Sequence, residues 1–476
     1  MYMKEVPFIH IFKTPKENYI YDVNTNSILK VQSEIYKILV KYLNNGLLKD
    51  DEMQELDKLK KQGYLKHNPI ETIVHADDSM LEDILNRKIS SITLQITQQC
   101  NLRCSYCVYS GSYLNRTHSD KIMDLELAKK GVDFLIDHSL DSKRLNIGFY
   151  GGEPLLRYNI IKEIVEYAKT QIEGKELHFS ITTNGTLLNT DMVKYFAENN
   201  VGLTVSLDGP EEIHDKNRRF AETGEGSFKT IIDSLNLIKK EYPEYFNHIL
   251  FNAVIDPRTD ISCTNEFFAN FDMISDAYIN ASVINLDNAK KEMHIPENYF
   301  YLRNYDLFKL FLSKLGRINE KHVGKLTLPY FDTLKHNMCD GRYETENLPR
   351  KVHHSGPCIP GAHKLMMDIN GNFYPCERIN ETSEAMNIGS IYEGFDYLKI
   401  RRILNIGELT EDECRKCWAF RFCTLCAAAA DDNGELSRSK KLEQCQYVIK
   451  HIETSLKEYC MLIEKGFHFP KKLISL

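Results

Sequence analysis

QQCNLRCSYCVY, residues 98–109, sets Cys100, Cys104 and Cys107 in a short polar loop directly after the apolar run Ile92 to Ile96. That run reads as a β-strand, so three thiols stand just past the end of a strand. Two chemistries use thiolates at these spacings. One is a structural zinc site completed by a distant fourth ligand, because C-x2-C pairs suit zinc. The other is a [4Fe-4S] cube with three irons held by the chain and the fourth open to an exogenous ligand.

The whole chain narrows the choice. At 476 residues it is long enough for two or three domains. With 42% apolar and 27% charged residues it has the composition of a folded globular protein. The net charge of -7, with Lys and Arg spread along the chain, marks no nucleic-acid face. MYMKEVPFIHIF carries no long apolar segment, and no stretch reaches the ~18 apolar residues of a spanning helix. The expectation is a soluble, cytoplasmic protein without nucleic-acid or membrane partners. In a reducing compartment disulfides do not persist, so clustered thiols point to metal or catalysis. Of the 13 cysteines, all but Cys263, Cys339 and Cys460 fall in the opening triplet or between Cys358 and Cys445.

Three blocks follow from the periodicity. From residue 7 to about 70, FIHIF and the pair YIYDV/SILKV, joined by the turn-forming Asn24-Thr25-Asn26, read as strands, and SEIYKILVKYL and DDEMQELDKLKKQGYL as amphipathic helices. HADDSMLEDILNRK reads as a connecting segment. From about 90 to 320, the strand patterns SITLQI, RLNIGFY, LHFSITT, GLTVSL, HILFNAVI and DAYINASVI alternate with helical ones, which argues for an α/β fold with a parallel sheet, open or partly closed into a barrel. A cysteine-rich, loop-rich block begins near 339. The expected domains are 1–75, 76–320 and 321–476. Active sites of such folds lie at the carboxyl ends of the strands, where the triplet stands.

C-x3-C-x2-C with Tyr106 before its last cysteine resembles the signature of the radical S-adenosylmethionine (SAM) enzymes, and the later strand ends agree. Gly151-Gly152-Glu153-Pro154 resembles the family's GGEP motif. Thr183-Asn184-Gly185 follows the third strand, Ser206-Leu207-Asp208-Gly209 the fourth, and then His214-Asp215-Lys216-Asn217-Arg218. The resemblance covers about residues 90–320 and implies a partial (β/α)6 barrel. It implies a cluster on Cys100, Cys104 and Cys107, and SAM held by Tyr106, Gly151, Gly152, Glu153, Pro154, Asn184, Ser206, Asp208 and Arg218. The Glu153 carboxylate and nearby backbone would accept from the methionine amino group, and Ser206 and Arg218 would meet its carboxylate; Arg218 also reads as a solvated surface charge. In this family one electron from the cluster cleaves SAM to methionine and a 5'-deoxyadenosyl radical, which abstracts a substrate hydrogen.

Cys358, Cys376, Cys414-x2-Cys417-x5-Cys423-x2-Cys426 and Cys445 resemble the SPASM extension of radical SAM enzymes, which carries two auxiliary [4Fe-4S] clusters; the x2 before Cys426 departs from the usual x3. The resemblance implies one cluster on Cys414, Cys417, Cys423 and Cys445. A second would sit on Cys358, Cys376 and Cys426, completed by Cys339 or by a substrate thiol, for three clusters in all. Cys263 and Cys460 receive no role. The first block resembles the small winged-helix leader-recognition domain of peptide maturases, which can take a peptide as an added strand; a structural cap is the plainer alternative. The expectation is a maturase forming cysteine thioether crosslinks in a precursor peptide with a leader, reduced by a donor such as flavodoxin or ferredoxin. The alternatives are a sulfatase-maturing type that makes formylglycine and a non-catalytic iron-sulfur electron carrier.

Overall fold

The computed structural model describes residues 6–109, 113, 117–284, 289–290, 293–469 and 474–475. The N-terminal block is an antiparallel sheet, β1 (Ile9–Lys13), β2 (Asn18–Asp22) and β3 (Ser27–Val31), followed by helices Ser33–Leu43 and Asp50–Lys61. Its turn is pinned from within. Buried Asp22 accepts from Thr25 N at 2.9 Å, Thr25 Oγ1 at 3.0 Å and Leu65 N at 2.8 Å, while Asn26 takes a left-handed φ of 56°.

β4 (Thr72–Ile73) leads into the connecting segment, which holds more order than its charge suggests. Leu81–Arg87 is a helix because Leu81, Ile84 and Leu85 form one buried i, i+3, i+4 stripe.

The six strand patterns become β5 (Ser91–Thr97), β6 (Arg144–Gly151), β7 (Glu176–Thr183), β8 (Val201–Ser206), β9 (Leu250–Ile255) and β10 (Ile279–Val283), all parallel and neighbours in chain order. This is the partial barrel expected. Alternate residues face opposite ways. Ile92, Leu94 and Ile96 of β5 join a large core with helices Leu125–Asp137, Tyr158–Gln171, Thr190–Glu198 and Phe228–Glu241. The inner faces are polar: Asn146 Nδ2 reaches Ser91 Oγ and Ser180 Oγ, each at 3.2 Å. The barrel is therefore a lined container rather than a packed core.

The third block continues this sheet. β11 (Lys351–Val352) pairs with β4, whereas β12 (Leu365–Met367) pairs parallel with β5 and is followed by antiparallel β13 (Asn372–Tyr374), β14 (Gly389–Ser390) and β15 (Gly394–Phe395). The N-terminal and C-terminal blocks also share a core, in which Phe8, Phe12, Tyr19 and Tyr21 pack with Phe420, Ile452, Leu456 and Tyr459. His10 stacks on Trp418 at 3.7 Å between centroids, and Arg421 donates to Val23 O at 2.7 Å and Asn24 O at 2.9 Å. The outer edge of β3 carries a parallel partner from far along the chain, Ile474–Ser475.

Candidate functional site

The triplet loop leaves β5 and is tied to the segment after helix Glu211–Asn217. Arg103 N donates to Arg219 O at 2.8 Å and Ser105 N to Asn217 O at 3.0 Å. Cys100 Sγ accepts from Leu102 N at 3.4 Å and Asn184 Nδ2 at 3.9 Å. Burial pushes the free thiols up, Cys100 to about 11 and Cys104 to about 12. Such sites ionise when a cation binds them. Three thiols, one of them with N–H donors aimed at its sulfur, and no histidine or carboxylate among the predicted ligands, suit iron-sulfur chemistry.

The two motif glycines are required by the loop in front of them. Gly151 has φ 134°, and a Cβ there would fall 2.1 Å from Thr97 O; one on Gly152 would fall 2.1 Å from Gln99 O. The same approach forms two bonds, Gly152 N to Thr97 O at 2.8 Å and Glu153 N to Gln99 O at 2.9 Å. Fully buried Glu153 accepts from Leu155 N at 3.0 Å, Thr183 Oγ1 at 2.7 Å and Asn184 N at 2.7 Å. Burial still holds its pKa above the ordinary carboxylate value, against the pull of these donors. Its carboxylate thus ties the end of β6 to the end of β7.

Asp208 and Arg218 form a second buried tie. Arg218 donates through Nε at 2.9 Å and Nη2 at 3.2 Å, Val254 N donates at 3.0 Å, and the Tyr106 hydroxyl donates to Asp208 Oδ2. Burial alone would raise the Asp208 pKa, but the Arg218 charge outweighs it and holds the carboxyl low. Asp208 N donates to His214 Nδ1 at 3.3 Å, so His214 carries its hydrogen on Nε2, 2.9 Å from Ser227 Oγ.

These strand ends open into a cavity of about 1030 Å³. Tyr106, Gly151, Gly152, Asn184, Ser206 and Arg218 line it with Cys100, Cys104 and Cys107. Glu153, Pro154 and Asp208 are buried behind the wall, and the two carboxylates accept from protein donors. Arg218 is 7% exposed, with two of its nitrogens committed to Asp208, and is not a solvated surface charge.

On the roof of the same cavity lies Cys426. Cys376 is raised by burial and by the neighbouring Glu377, Cys358 and Cys426, which places these three thiols together. Cys417, pushed up to about 12 chiefly by burial, also feels Cys423, Cys414 and Cys445, the other predicted quartet. Cys339 belongs instead to the apolar core shared by the N- and C-terminal blocks, 1% exposed and beside Tyr459. Its surroundings there, Phe331, Leu334 and Met338, are those of a buried hydrophobe. Cys460 shares that core, and Cys263 is exposed. Among the described residues no three His, Cys, Asp or Glu converge closely enough for a single ion. Thiolates that bind different irons of a cube do not have to meet at one point.

Two features escaped the motif reading. Lys441, fully buried, donates to Ile406 O and Thr410 Oγ1, each at 2.8 Å, and to Cys414 Sγ at 3.8 Å. Its place one helical turn before Cys445 was the available signal. Gln95 Nε2 donates to Tyr109 Oη at 3.0 Å and Glu381 Oε1 at 3.3 Å, and Tyr109 also donates to Glu381, clasping the triplet loop to the C-terminal block. Tyr109 and Glu381 lie 272 positions apart, and no pattern links them.

Comparison with known proteins agrees with this geometry. Residues 94–260 match the model of the Radical SAM superfamily. The radical SAM cyclopropyl synthase TigE of Paramaledivibacter caminithermalis is 27% identical over 236 residues, 48% of this chain and 45% of that one, so the chain spans less than half of that relative. A cysteine-type anaerobic sulfatase-maturating enzyme of Clostridium novyi is 29% identical over 303 residues, 61% of this chain and 74% of that one. The solved structure of native anSMEcpe with bound AdoMet and Cp18Cys peptide has the same fold, with a TM-score of 0.56 at 22% identity over 79% of this chain and 98% of that one. A polar barrel, a thiol triplet at its first strand end and a matching family model lead to one conclusion: residues 94–260 form a radical SAM domain.

Proposed function

We propose that the chain is a peptide maturase that removes hydrogen from a precursor peptide and joins a cysteine sulfur to the carbon so exposed. The observation that carries this reading is the single cavity with Cys100, Cys104 and Cys107 on one wall and Cys426 on another. Cys100, Cys104 and Cys107 would hold the SAM-binding cluster; Cys414, Cys417, Cys423 and Cys445 a second; Cys358, Cys376 and Cys426 a third. When bound, the first cluster supplies the electron that cleaves SAM to the hydrogen-abstracting radical.

The chain's own residues do the positioning. Gly151 and Gly152 let the end of β6 close on the triplet loop, Glu153 locks β6 to β7, and the Asp208–Arg218 pair fixes the ring of Tyr106. Tyr106, Asn184, Ser206 and the backbone of the glycines remain on the wall as contacts for SAM. Cys358 and Cys426 are exposed, and Cys339 is packed in the apolar core, so a third cluster held by Cys358, Cys376 and Cys426 would take its remaining ligand from a substrate thiolate. Leader recognition is assigned to the N-terminal sheet, where a peptide strand adding to β3 displaces Ile474–Ser475.

Formylglycine formation is the second reading, favoured by the sulfatase-maturating relative that matches 61% of this chain. The two differ in product. A thioether costs the peptide two hydrogens and keeps the sulfur; formylglycine made from cysteine loses the sulfur. The test is mass spectrometry of cysteine-containing precursor peptides after anaerobic incubation with SAM and reductant. Reconstituted enzyme is expected to hold about twelve irons, and the Cys100/Cys104/Cys107→Ala variant about eight with no 5'-deoxyadenosine formed. Wild-type protein that makes no 5'-deoxyadenosine would reduce the chain to an electron carrier.

Reduction by a flavodoxin or ferredoxin belongs to the same proposal. No helix among the described residues is long and apolar enough to cross a membrane.

A further inference from the structure

β10 is the end strand of the ten-stranded sheet, and its only partner among the described residues is β9. Phe251 N donates to Tyr278 O and Ile284 N to Ile255 O, each at 3.1 Å. In a parallel ladder the bonding residues of one strand alternate. With that register, 278, 280, 282 and 284 turn their backbone groups to β9. The N–H and C=O of Ile279, Ala281 and Val283 therefore point away from the sheet.

Among the described residues this edge lacks the usual protection. Exposed edge strands are commonly blunted by charge, proline or a bulge; Asn280-Ala281-Ser282-Val283 has none of these, and all four residues are exposed. Its surroundings are specific. Asn280 to Val283 line the same cavity as Cys100, Cys104, Cys107 and Cys426, and Asn280 Nδ2 donates to Asn252 Oδ1 at 3.0 Å on the inner face. An open edge that faces bulk solvent invites aggregation, whereas one in the wall of a reaction cavity is available to whatever the cavity admits. The outer edge of β3, by contrast, has Ile474–Ser475 paired to it.

We propose that β10 is the docking strand for the core segment of the peptide substrate, which adds to the sheet in extended form through the backbone groups of Ala281 and its odd-numbered neighbours. The inference rests on the peptide-maturase reading and deepens it. A docked strand projects every second side chain into the barrel and the others outward, so strand register selects which residue meets the radical. Recognition through backbone also makes the site tolerant of side-chain sequence, with alternate positions of the peptide intolerant of a lost N–H. Asn280 and Ser282 add only short polar contacts.

The test uses reconstituted holoenzyme with SAM to enrich binders from a display library of random cysteine-containing peptides of about twelve residues. Enriched peptides are labelled with fluorescein and their affinities measured by anisotropy. An N-methyl scan of the peptide backbone is expected to weaken binding roughly tenfold at alternate positions over a stretch of about four residues and little between them. On the protein side, Ala281→Pro, at an edge position whose N–H faces away from the sheet, is expected to weaken binding by a similar factor, and Ala281→Gly, which keeps the donor, by less than about twofold.

An N-methyl profile without alternation overturns the proposal, as does equal binding to wild type and Ala281→Pro, or a library from which nothing is enriched. Peptides that bind with the alternating profile but show no mass change with SAM and reductant leave the docking strand standing and remove the maturase reading.

Discussion

Arg218 meets Asp208 with two parallel hydrogen bonds, Nε to Oδ2 and Nη2 to Oδ1, in a pair whose exposures are 7% and 1%. A buried pair of this kind is costly to halve. Asp208→Ala leaves an uncompensated guanidinium and is expected to destabilise the chain by about 3–5 kcal/mol, with Arg218→Met added to it restoring much of the loss. Denaturant unfolding under anaerobic conditions measures both. A double variant no more stable than the single would mean that Asp208 acts through Tyr106 and Val254 rather than through charge.

Gly151→Ala and Gly152→Ala each drive a methyl group onto a backbone carbonyl of the triplet loop. Because the obstruction is backbone, neither site can relax by turning a side chain. Each variant is expected to lose about 2–4 kcal/mol of stability and to hold the first cluster poorly. Iron content and the SAM-dependent change in the electron paramagnetic resonance signal are the readouts, and a normal SAM-dependent signal would separate the glycines from loop closure.

Acid should weaken the fold earlier than carboxylates alone would. Burial lowers His214 to about 3 and His354 to about 2, so both are neutral in the folded chain, while unfolded histidine takes a proton near pH 6.5. Their contribution is complete above pH 6.5 and falls below it, by up to about 1.4 kcal/mol per pH unit for each histidine, until the folded values are reached. Urea midpoints at pH 7.5, 6.5 and 5.5 should fall between the last two, and His214→Gln should flatten the slope by about one proton. A flat profile across this window contradicts the burial of these rings.

A leader strand added to β3, as proposed above, would compete with Ile474–Ser475, which pairs there. Ending the chain after residue 469 is expected to tighten binding of a full precursor peptide several-fold, by removing an intramolecular competitor. Fluorescence anisotropy decides this. Unchanged affinity would move the leader to the β1 edge.

Much of the barrel was legible because its strands are long enough for the two-residue period to show; SITLQI and GLTVSL lie within β5 and β8 to a residue or so. β12 to β15 were not, because runs of two or three residues such as Leu365–Met367 carry no period and are strands only by pairing, β12 with β5 and each of the others with the one before it. Motifs named the residue types at the strand ends but not where their carboxylates turn. GGEP looks the same whether Glu153 faces a ligand or the Asn184 amide. Spacing alone also left Cys339 open as a cluster ligand, and only its packing beside Tyr459 and Met338 shows its surroundings.

The bond from Tyr19 Oη to Glu464 Oε1, 2.7 Å long, joins residues 445 positions apart. It has a consequence for synthesis. At roughly 5–20 residues per second, β1 to β3 emerge tens of seconds before the helix Arg438–Glu464 that covers them. Through that interval Phe12, Tyr19 and Tyr21 lack the native surface they pack against, and the β3 edge lacks Ile474–Ser475. The N-terminal block is made early and buried late, so the newborn chain is most exposed to misassembly and to chaperones at the sheet assigned to leader recognition.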